Sequence, residues 1–162
     1  MGRKYGVLLL CLLFILPMDQ YTKQEVQRRI PLHRTIPVIE GFFNLTHVRN
    51  PGGAFGILAQ RGEGIRSFFF VAFSLLAIGI LLILLYRTKP QERILSLSFS
   101  LILSGAIGNL IDRVRYGEVI DFLDFYLSSF HWPAFNIADA AITIGIGLLT
   151  LRLLTQGRKG GG

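Results

Sequence analysis

The chain has 162 residues, 51% of them hydrophobic, and carries 17 Lys and Arg against 10 Asp and Glu, a net charge of +7. Such a length is typical of one domain, and so large an apolar fraction excludes an ordinary soluble protein. No basic stripe is interleaved with aromatic residues, so the charge does not indicate nucleic-acid binding. Basic residues that flank membrane spans and contact anionic lipid headgroups account for it.

Four apolar segments approach the roughly 20 residues that a helix needs to cross a bilayer. The sequence therefore predicts a mainly α-helical membrane protein, with residues 1–162 forming a single integral membrane domain. The predicted spans are residues 5–22, 67–86, 94–111 and 137–154, and the loops on the far side from the termini are residues 23–66 and 112–136.

The first segment also resembles a signal peptide, because Arg3 and Lys4 precede an apolar run. Residues 16–20 offer no small-x-small cleavage site, so we interpret the segment as an uncleaved helix. Cys11 lies within it and is interpreted as a small apolar residue. The Gly-rich tail, residues 156–162, is expected to be disordered.

Basic residues do not decide which face of the membrane holds the termini. If both termini are cytoplasmic, eight Lys and Arg lie on their side and nine on the other, a near tie under the positive-inside rule. Nine of the ten carboxylates fall on the far side, so the net charges are +7 and 0. This difference favours cytoplasmic termini only weakly, because the rule counts Lys and Arg.

Both predicted loops contain apolar segments suited to the membrane surface. Residues 35–48 are rich in Ile, Val, Phe and Thr and predict strand, followed by a turn at 50–53 and a strand or short helix at 54–58. Residues 119–127 are amphipathic and aromatic, which is typical of the headgroup interface. We therefore expect a small extracytoplasmic β-sheet subdomain that lies on the membrane.

Polar side chains collect where the third and fourth spans end at the same membrane face. Asn109, Asp112 and Arg113 have the i, i+3, i+4 spacing of one helix face, provided that the third helix reaches them. Ionisable groups in such places are costly and indicate function by default. A simple interfacial charge pair between Asp112 and Arg113 is an alternative interpretation.

The same face holds two further pairs that have structural interpretations of their own. Asn136 suits the N-cap of the fourth helix, with Asp139 in its positive first turn. Asp19 and Lys23, four residues apart, suit an ion pair on the first helix. Each interpretation is as plausible for its pair as a catalytic role, but the convergence of these groups favours chemistry.

Two aspartates that share one proton would explain this convergence, since one then serves as base and the other as acid. Spacing does not choose the partner of Asp139: Asp112, Asp121 and Asp124 are all eligible. A carboxylate metal site stays possible, although no helical His-x-x-x-His or Cys pair supports zinc. We predict neither a metal nor another cofactor.

Five motifs in order make the chain resemble the bacterial lipoprotein signal peptidases, also called signal peptidase II. Any one of them is weak, but together they span nearly the whole chain. They are Asp19-Gln20-Tyr21-Thr22-Lys23, Asn50-Pro51-Gly52-Gly53-Ala54-Phe55-Gly56, Gly108-Asn109-Leu110-Ile111-Asp112-Arg113, Gly117-Glu118-Val119-Ile120-Asp121-Phe122 and Phe135-Asn136-Ile137-Ala138-Asp139.

The resemblance implies an aspartyl endopeptidase whose catalytic pair is Asp121 and Asp139. It also implies a supporting or substrate-binding role for twelve residues: Asp19, Lys23, Asn50, Gly52, Ala54, Asn109, Asp112, Arg113, Gly117, Phe135, Asn136 and Ala138.

The same resemblance implies the substrate and the location. The substrate is a prolipoprotein whose cysteine already carries diacylglycerol, and cleavage falls just before that cysteine. The enzyme lies in the bacterial cytoplasmic (inner) membrane with cytoplasmic termini and an active site near the extracytoplasmic face. We further expect membrane lipids as partners and a monomeric state.

Two other classes of protein fit the residue pattern less well. A small four-helix transporter would place its ionisable groups near the bilayer midplane, whereas the middle of every predicted span is apolar. A non-catalytic scaffold subunit would use the polar cluster only to hold its helices together. Substitution of the aspartate pair separates this last interpretation from a protease.

Overall fold

A computed structural model describes residues 2–52 and 63–157 of the chain. Within them, four helices are long and apolar enough to cross a membrane, as the sequence predicts. In chain order the elements are α1 (Arg3–Arg29), β1 (Thr35–Ile39), β2 (Phe43–Asn50), α2 (Glu63–Arg87), α3 (Arg93–Tyr116), β3 (Val119–Leu127), β4 (Phe130–His131) and α4 (Ile137–Gly157).

Helix α3 lies at the centre of the helix bundle. Half of the residues in its apolar 18-residue stretch are buried, against 6% of those in the corresponding stretch of α1. Most side chains of α1 therefore face outward. Gly105 and Gly145 allow α3 and α4 to approach closely, since a Cβ on Gly145 would lie 2.8 Å from the carbonyl oxygen of Ser98. The exposed apolar side chains of α1 and α2, such as Phe14 and Phe68, suit lipid contact.

Helices α1 and α3 extend beyond their predicted ends. Helix α1 continues through residues 23–29, assigned to a loop by the sequence, because Gln, Glu and Arg favour helix and Glu25 pairs with Arg29 at 2.7 Å. Helix α3 runs to Tyr116 rather than to residue 111. It ends at Gly117, whose φ of 75° is the left-handed conformation typical of a helix C-terminus.

The four strands form one antiparallel sheet in the order β1-β2-β3-β4. Residues 35–48, predicted as strand, form a β-hairpin in which Gly41 at the turn has a φ of 78°. Strand β3 pairs with β2, so that Asn50 lies opposite Val119 and Val48 opposite Asp121. The predicted strand or helix at residues 54–58 lies outside the described residues.

A small apolar cluster fastens the sheet to the helices. Val26 and Ile30 from the end of α1 pack with Phe122 of β3, and Ile137 at the start of α4 packs against them. The extension of α1 beyond its predicted end therefore carries the apolar residues that position β3. Asp121, next to Phe122, is thereby held at the ends of the helices.

Candidate active site

The Asp121 carboxylate is buried on β3 and bound by two carboxamides. The residue is only 2% exposed. Asn136 Nδ2 donates to Oδ1 at 2.7 Å, and Asn50 Nδ2 donates to Oδ2 at 3.0 Å. The Asn50 side-chain oxygen accepts from the backbone N–H of Gly52 at 2.9 Å, which fixes the orientation of its amide.

Asp139 lies in the first turn of α4, where Asn136 joins it to Asp121. As the sequence predicts, Asn136 caps the helix: its Oδ1 accepts from the Asp139 N–H at 2.8 Å. Asn109 Nδ2 donates to Asp139 Oδ1 at 2.7 Å. The Asn136 carboxamide thus bonds to the Asp121 carboxylate and to the Asp139 backbone. The sheet and α4 cannot shift relative to each other without breaking these hydrogen bonds.

The surroundings of Asp121 raise the pKa of its carboxyl to about 6. Burial is the largest cause, because it disfavours the charged form, and the negative charge of Asp139 adds to it. The hydrogen bonds from Asn50 and Asn136 and the charge of Lys23 act in the opposite direction. The result is a carboxyl group that changes protonation close to neutral pH.

A second buried cluster consists of Asp19, Lys23 and Asp112. Each is at most 1% exposed, and the Lys23 ammonium lies 2.8 Å from a carboxylate oxygen of both aspartates. The predicted Asp19–Lys23 ion pair is therefore confirmed, whereas Asp112 pairs with Lys23 instead of Arg113. Backbone N–H groups satisfy other oxygens: Ala138 donates to Asp19 at 2.9 Å and Ile120 to Asp112 at 3.3 Å.

Lys23 also determines which way the Asn109 amide faces. Its ammonium, which can only donate, lies 3.2 Å from Asn109 Oδ1, and Asn136 Nδ2 donates to the same oxygen at 3.2 Å. With its oxygen held by two donors, Asn109 presents its NH2 group to Asp139. The buried ion cluster therefore orients a carboxamide of the Asp121–Asp139 pair.

Two glycines make the close approaches in this region possible. A Cβ on Gly108 would lie 2.8 Å from Asp19 Oδ2 and 3.2 Å from the Ala138 side chain, which is itself fully buried. Gly52 has a φ of 80°, and a Cβ there would lie 2.9 Å from the Phe70 ring. Larger residues at these positions would displace the carboxylates or the loop that holds Asn50.

A cavity of about 610 Å³ connects the polar cluster to the apolar helix faces. Asn109, Arg113 and Asp139 line its polar end. Its apolar wall continues along α2, α3 and α4 and includes Phe73, Ala77, Leu81, Ile102, Ala106, Ile142 and Ile146. A smaller cavity of about 360 Å³ borders Asp139 from the side of Trp132 and Phe135. Asp139 is therefore accessible from two directions.

Of the three eligible partners of Asp139, Asp121 is the one that bonds to Asn136, whose carboxamide also accepts from the Asp139 backbone N–H. Asp112 is occupied by Lys23. Asp124 is directed elsewhere, since it accepts from Asn44 at 2.8 Å and lies 2.9 Å from His131 Nδ1.

Most of the other predicted residues lie close to this pair. Arg113 donates to the Asn109 carbonyl at 3.4 Å, and the Phe135 backbone bonds to Leu123 beside Asp121. Gly117 borders a different cavity, and Ala54 lies outside the described residues.

Two contacting residues were not predicted individually. Gln20 Nε2 donates to Asp112 Oδ1 at 3.0 Å and lies 3.2 Å from Asp19 Oδ2. Phe70, which fills the space beside Gly52 and lies under Arg113, belongs to an apolar run that gives no local signal. Gln20 is part of the first motif, so its position between two aspartates could have been inferred.

Two carboxyls linked through carboxamides in this way can activate a water molecule and protonate a leaving group, because a charge on one opposes ionisation of the other. Among residues 2–52 and 63–157, no three His, Cys, Asp or Glu side chains are grouped to hold a metal ion.

Comparison with known proteins identifies the family. The family model for signal peptidase (SPase) II matches residues 11–155. A lipoprotein signal peptidase from Desulforapulum autotrophicum is 54% identical over 139 residues, covering 85% of this chain and 86% of its own length. The one from Syntrophus aciditrophicus is 46% identical over 145 residues, 90% of each chain.

Solved structures show the same fold. A bacterial membrane enzyme determined by the in meso method at 2.3 Å has a TM-score of 0.82 and 33% identity, over 94% of this chain and 90% of that one. Another, at 1.9 Å, has a TM-score of 0.81 and 34% identity, over 92% and 93%. The chain belongs to the signal peptidase II family and is a bacterial multi-pass membrane peptidase.

Proposed function

We propose that the chain is an aspartic endopeptidase that removes the signal peptide from diacylglyceryl-modified prolipoproteins, cleaving just before the lipidated cysteine. The observation that carries this proposal is the pair of carboxyls, Asp121 and Asp139, linked through the carboxamides of Asn136 and Asn109 at the polar end of an apolar cavity. The names of the relatives support the substrate class.

The different hydrogen-bond patterns of the two aspartates support different roles for them. Both Asp121 oxygens accept from carboxamides, and these hydrogen bonds partly offset the rise of its pKa that burial causes. Asp139 accepts at Oδ1 only, and its Oδ2 has no hydrogen-bond partner among the described residues. In the proposed mechanism Asp121, ionised above its raised pKa of about 6, is the base, and Asp139 is the residue that contacts the carbonyl oxygen of the substrate.

Catalysis begins with water held between the two carboxyls. Asp121 removes a proton as the water oxygen attacks the scissile carbonyl carbon, and protonated Asp139 donates a hydrogen bond to the carbonyl oxygen. Asp121 then passes its proton to the cysteine nitrogen as the C–N bond breaks, which leaves a carboxylic acid on the signal peptide. Acid–base catalysis of this kind contributes about 10²–10⁴-fold, and positioning supplies a further part.

The apolar cavity suits a substrate that approaches through the membrane. The proposed orientation has cytoplasmic termini and an active site near the extracytoplasmic face, where a lipid-anchored cysteine and the following residues would lie. Arg113 and Asn109, at the polar end of the cavity, are the proposed contacts for the substrate backbone. This location explains why the carboxyls lie at helix ends rather than in the middle of the spans.

Isosteric substitution tests the carboxyl pair. Asp121→Asn and Asp139→Asn are expected to fold and to lower turnover of a diacylglyceryl-modified precursor in detergent by at least about 10²-fold, because neither amide can accept or donate the required proton. Asp124→Asn is the matched control: it is buried on the same strand but bonds to Asn44 and His131. It should stay within a few-fold of the parent chain.

Near-normal turnover by Asp121→Asn or Asp139→Asn would refute the assignment. A chelator should leave turnover unchanged, whereas strong inhibition by a chelator would point to a metal-dependent reaction instead. Thermal unfolding of each purified variant distinguishes lost chemistry from lost folding.

A further inference from the structure

A second polar cavity, of about 450 Å³, lies at the water-facing ends of α2 and α3. It is separate from the carboxyl pair, whose side chains do not line it. The residues that line it are Arg49, Gly64, Arg66, Ser67, Tyr116, Gly117 and Glu118. The cavity thus joins the end of β2, the first turn of α2 and the last turn of α3.

Arg49 brings an unneutralised positive charge to this cavity. Its guanidinium lies 5.7 Å from the centre of the Tyr116 ring, an orienting cation–π contact. No carboxylate pairs with it among the described residues. Its buried Nε also has no hydrogen-bond partner there, and a buried donor without an acceptor is unfavourable.

Arg66 is only partly satisfied. Its Nη2 lies 3.4 Å from Glu118 Oε1, a long ion pair between side chains that are 18% and 27% exposed. Its Nε is buried and unpartnered within the described part of the chain. The cavity is thus lined by two arginines but only one carboxylate, which pairs with Arg66, and this leaves one positive charge and two unused donors beside it.

The location of the cavity suggests what neutralises this charge. Arg66 is near the start of α2, and Tyr116 is the last residue of α3, so both lie where spanning helices meet the lipid headgroups. The positive end of the α2 dipole adds to the field. Arginine presents a planar set of donors that matches phosphate oxygens.

We propose that this cavity binds the phosphate group of an anionic phospholipid, held by Arg49 and Arg66. The bound phosphate supplies the acceptors that both guanidiniums lack, and its charge balances that of Arg49. Because Arg49 directly precedes Asn50, which bonds to Asp121, occupation also stabilises the end of β2 next to the carboxyl pair.

Ligand-dependent stability of the purified full chain tests the site without reference to peptidase activity. The protein, delipidated in a neutral detergent, is titrated with dioleoylphosphatidylglycerol, dioleoylphosphatidylcholine or glycerol 1-phosphate while its Tm is followed. We expect the anionic lipid to raise Tm at lower concentrations than the zwitterionic one. Arg49→Gln and Arg66→Gln should each weaken the apparent affinity for the anionic lipid about fivefold.

Arg34→Gln is the matched control, because Arg34 is exposed on the same side of the molecule and its described contacts involve only its backbone. It should titrate like the parent chain. Arg49→Lys keeps the charge but loses the planar donors, so its apparent affinity for the anionic lipid should lie between those of the parent chain and Arg49→Gln. It replaces Arg49→Gln in the test if that variant does not fold.

If the anionic lipid raised the Tm of the Arg34, Arg49 and Arg66 variants at the same concentrations, the proposed site would be wrong. Equal stabilisation by glycerol 1-phosphate and by the anionic lipid would assign the cavity to a free phosphate ester and overturn the lipid as its source. Since no outcome depends on proteolysis, failure here leaves the proposed peptidase function standing, and loss of that function leaves this site standing.

Discussion

Among single residues, Asp121 combines burial with hydrogen bonds from two carboxamides. Because burial raises its pKa to about 6, the neutral carboxyl is favoured in the folded protein. This preference stabilises the fold below the unfolded value near 4 and is lost as the pH rises through 6. The proposed base must instead be ionised, so activity and this contribution to stability change in opposite directions across the same pH range.

The acid limb of the pH–activity profile should therefore lie near pH 6 and depend on Asn50. Asn50→Ala removes a hydrogen bond that lowers the Asp121 pKa. We expect the limb of kcat/KM to move to higher pH by about one unit or less. Asn44→Ala is the control, because Asn44 bonds to Asp124 instead, and its limb should not move. An unshifted limb in Asn50→Ala would exclude Asp121 as the titrating base.

Lys23 is the residue whose loss should destabilise the site most. Lys23→Met leaves two buried carboxylates without their cation, which typically costs about 3–5 kcal/mol. Combining it with Asp112→Asn should restore part of the loss in thermal unfolding. Arg28→Met provides the comparison: Arg28 pairs with Glu25 at 3.3 Å but is 78% exposed, so little change is expected. Similar losses for both variants would contradict this role of the cluster.

At the scale of secondary-structure elements, the sequence predicted what depends on local pattern. Helices of spanning length follow from apolar length alone, and the described residues contain all four of them. Their ends were less predictable, because the extensions of α1 and α3 depend on partners far away in the chain. Val26 and Ile30 gain their apolar contact only when Phe122 is in place. Residues 35–48 were predicted as strand, but the turn at Gly41 divides them into a hairpin.

Packing of α4 on α3 should depend on Gly145 but not on the nearby Gly147. Gly145→Ala would bring a Cβ within 2.8 Å of the Ser98 carbonyl oxygen and 2.6 Å of Ile102 Cγ1, and we expect a loss of about 1–3 kcal/mol in stability. Gly147→Ala, on the same helix, meets nothing within 4 Å and should be neutral or slightly stabilising. Thermal unfolding in detergent measures both. Equal effects would mean that the two helices do not approach this closely.

At the scale of the whole molecule, spacing placed the polar residues at one membrane face but left three partners open for Asp139. Only the tertiary fold brings Asn136 between Asp121 and Asp139, because the contact joins β3 to α4. The family resemblance singled out the same two residues through its motifs. Neither approach predicted the cavity of Arg49 and Arg66, since its walls come from three elements and its residues share no local pattern.

The numbers of basic residues on the two sides of the spans are nearly equal, so the orientation of the molecule in the membrane is tested by experiment. We expect the sheet to face outward and the loop between α2 and α3 to face the cytoplasm. Glu40→Cys, exposed at the turn between β1 and β2, and Gln91→Cys, exposed between α2 and α3, report the two faces. Both are made with Cys11→Ser, so that one thiol is present in each variant.

In intact spheroplasts, a membrane-impermeant maleimide should label Glu40→Cys at once and Gln91→Cys only after permeabilisation. The reverse pattern would place the carboxyl pair at the cytoplasmic face. A precursor whose lipid-modified cysteine lies at the outer surface could not then reach Asp139 without crossing the bilayer. Orientation and proposed substrate are thus linked, because both require the polar end of the 610 Å³ cavity to open toward the outer headgroups.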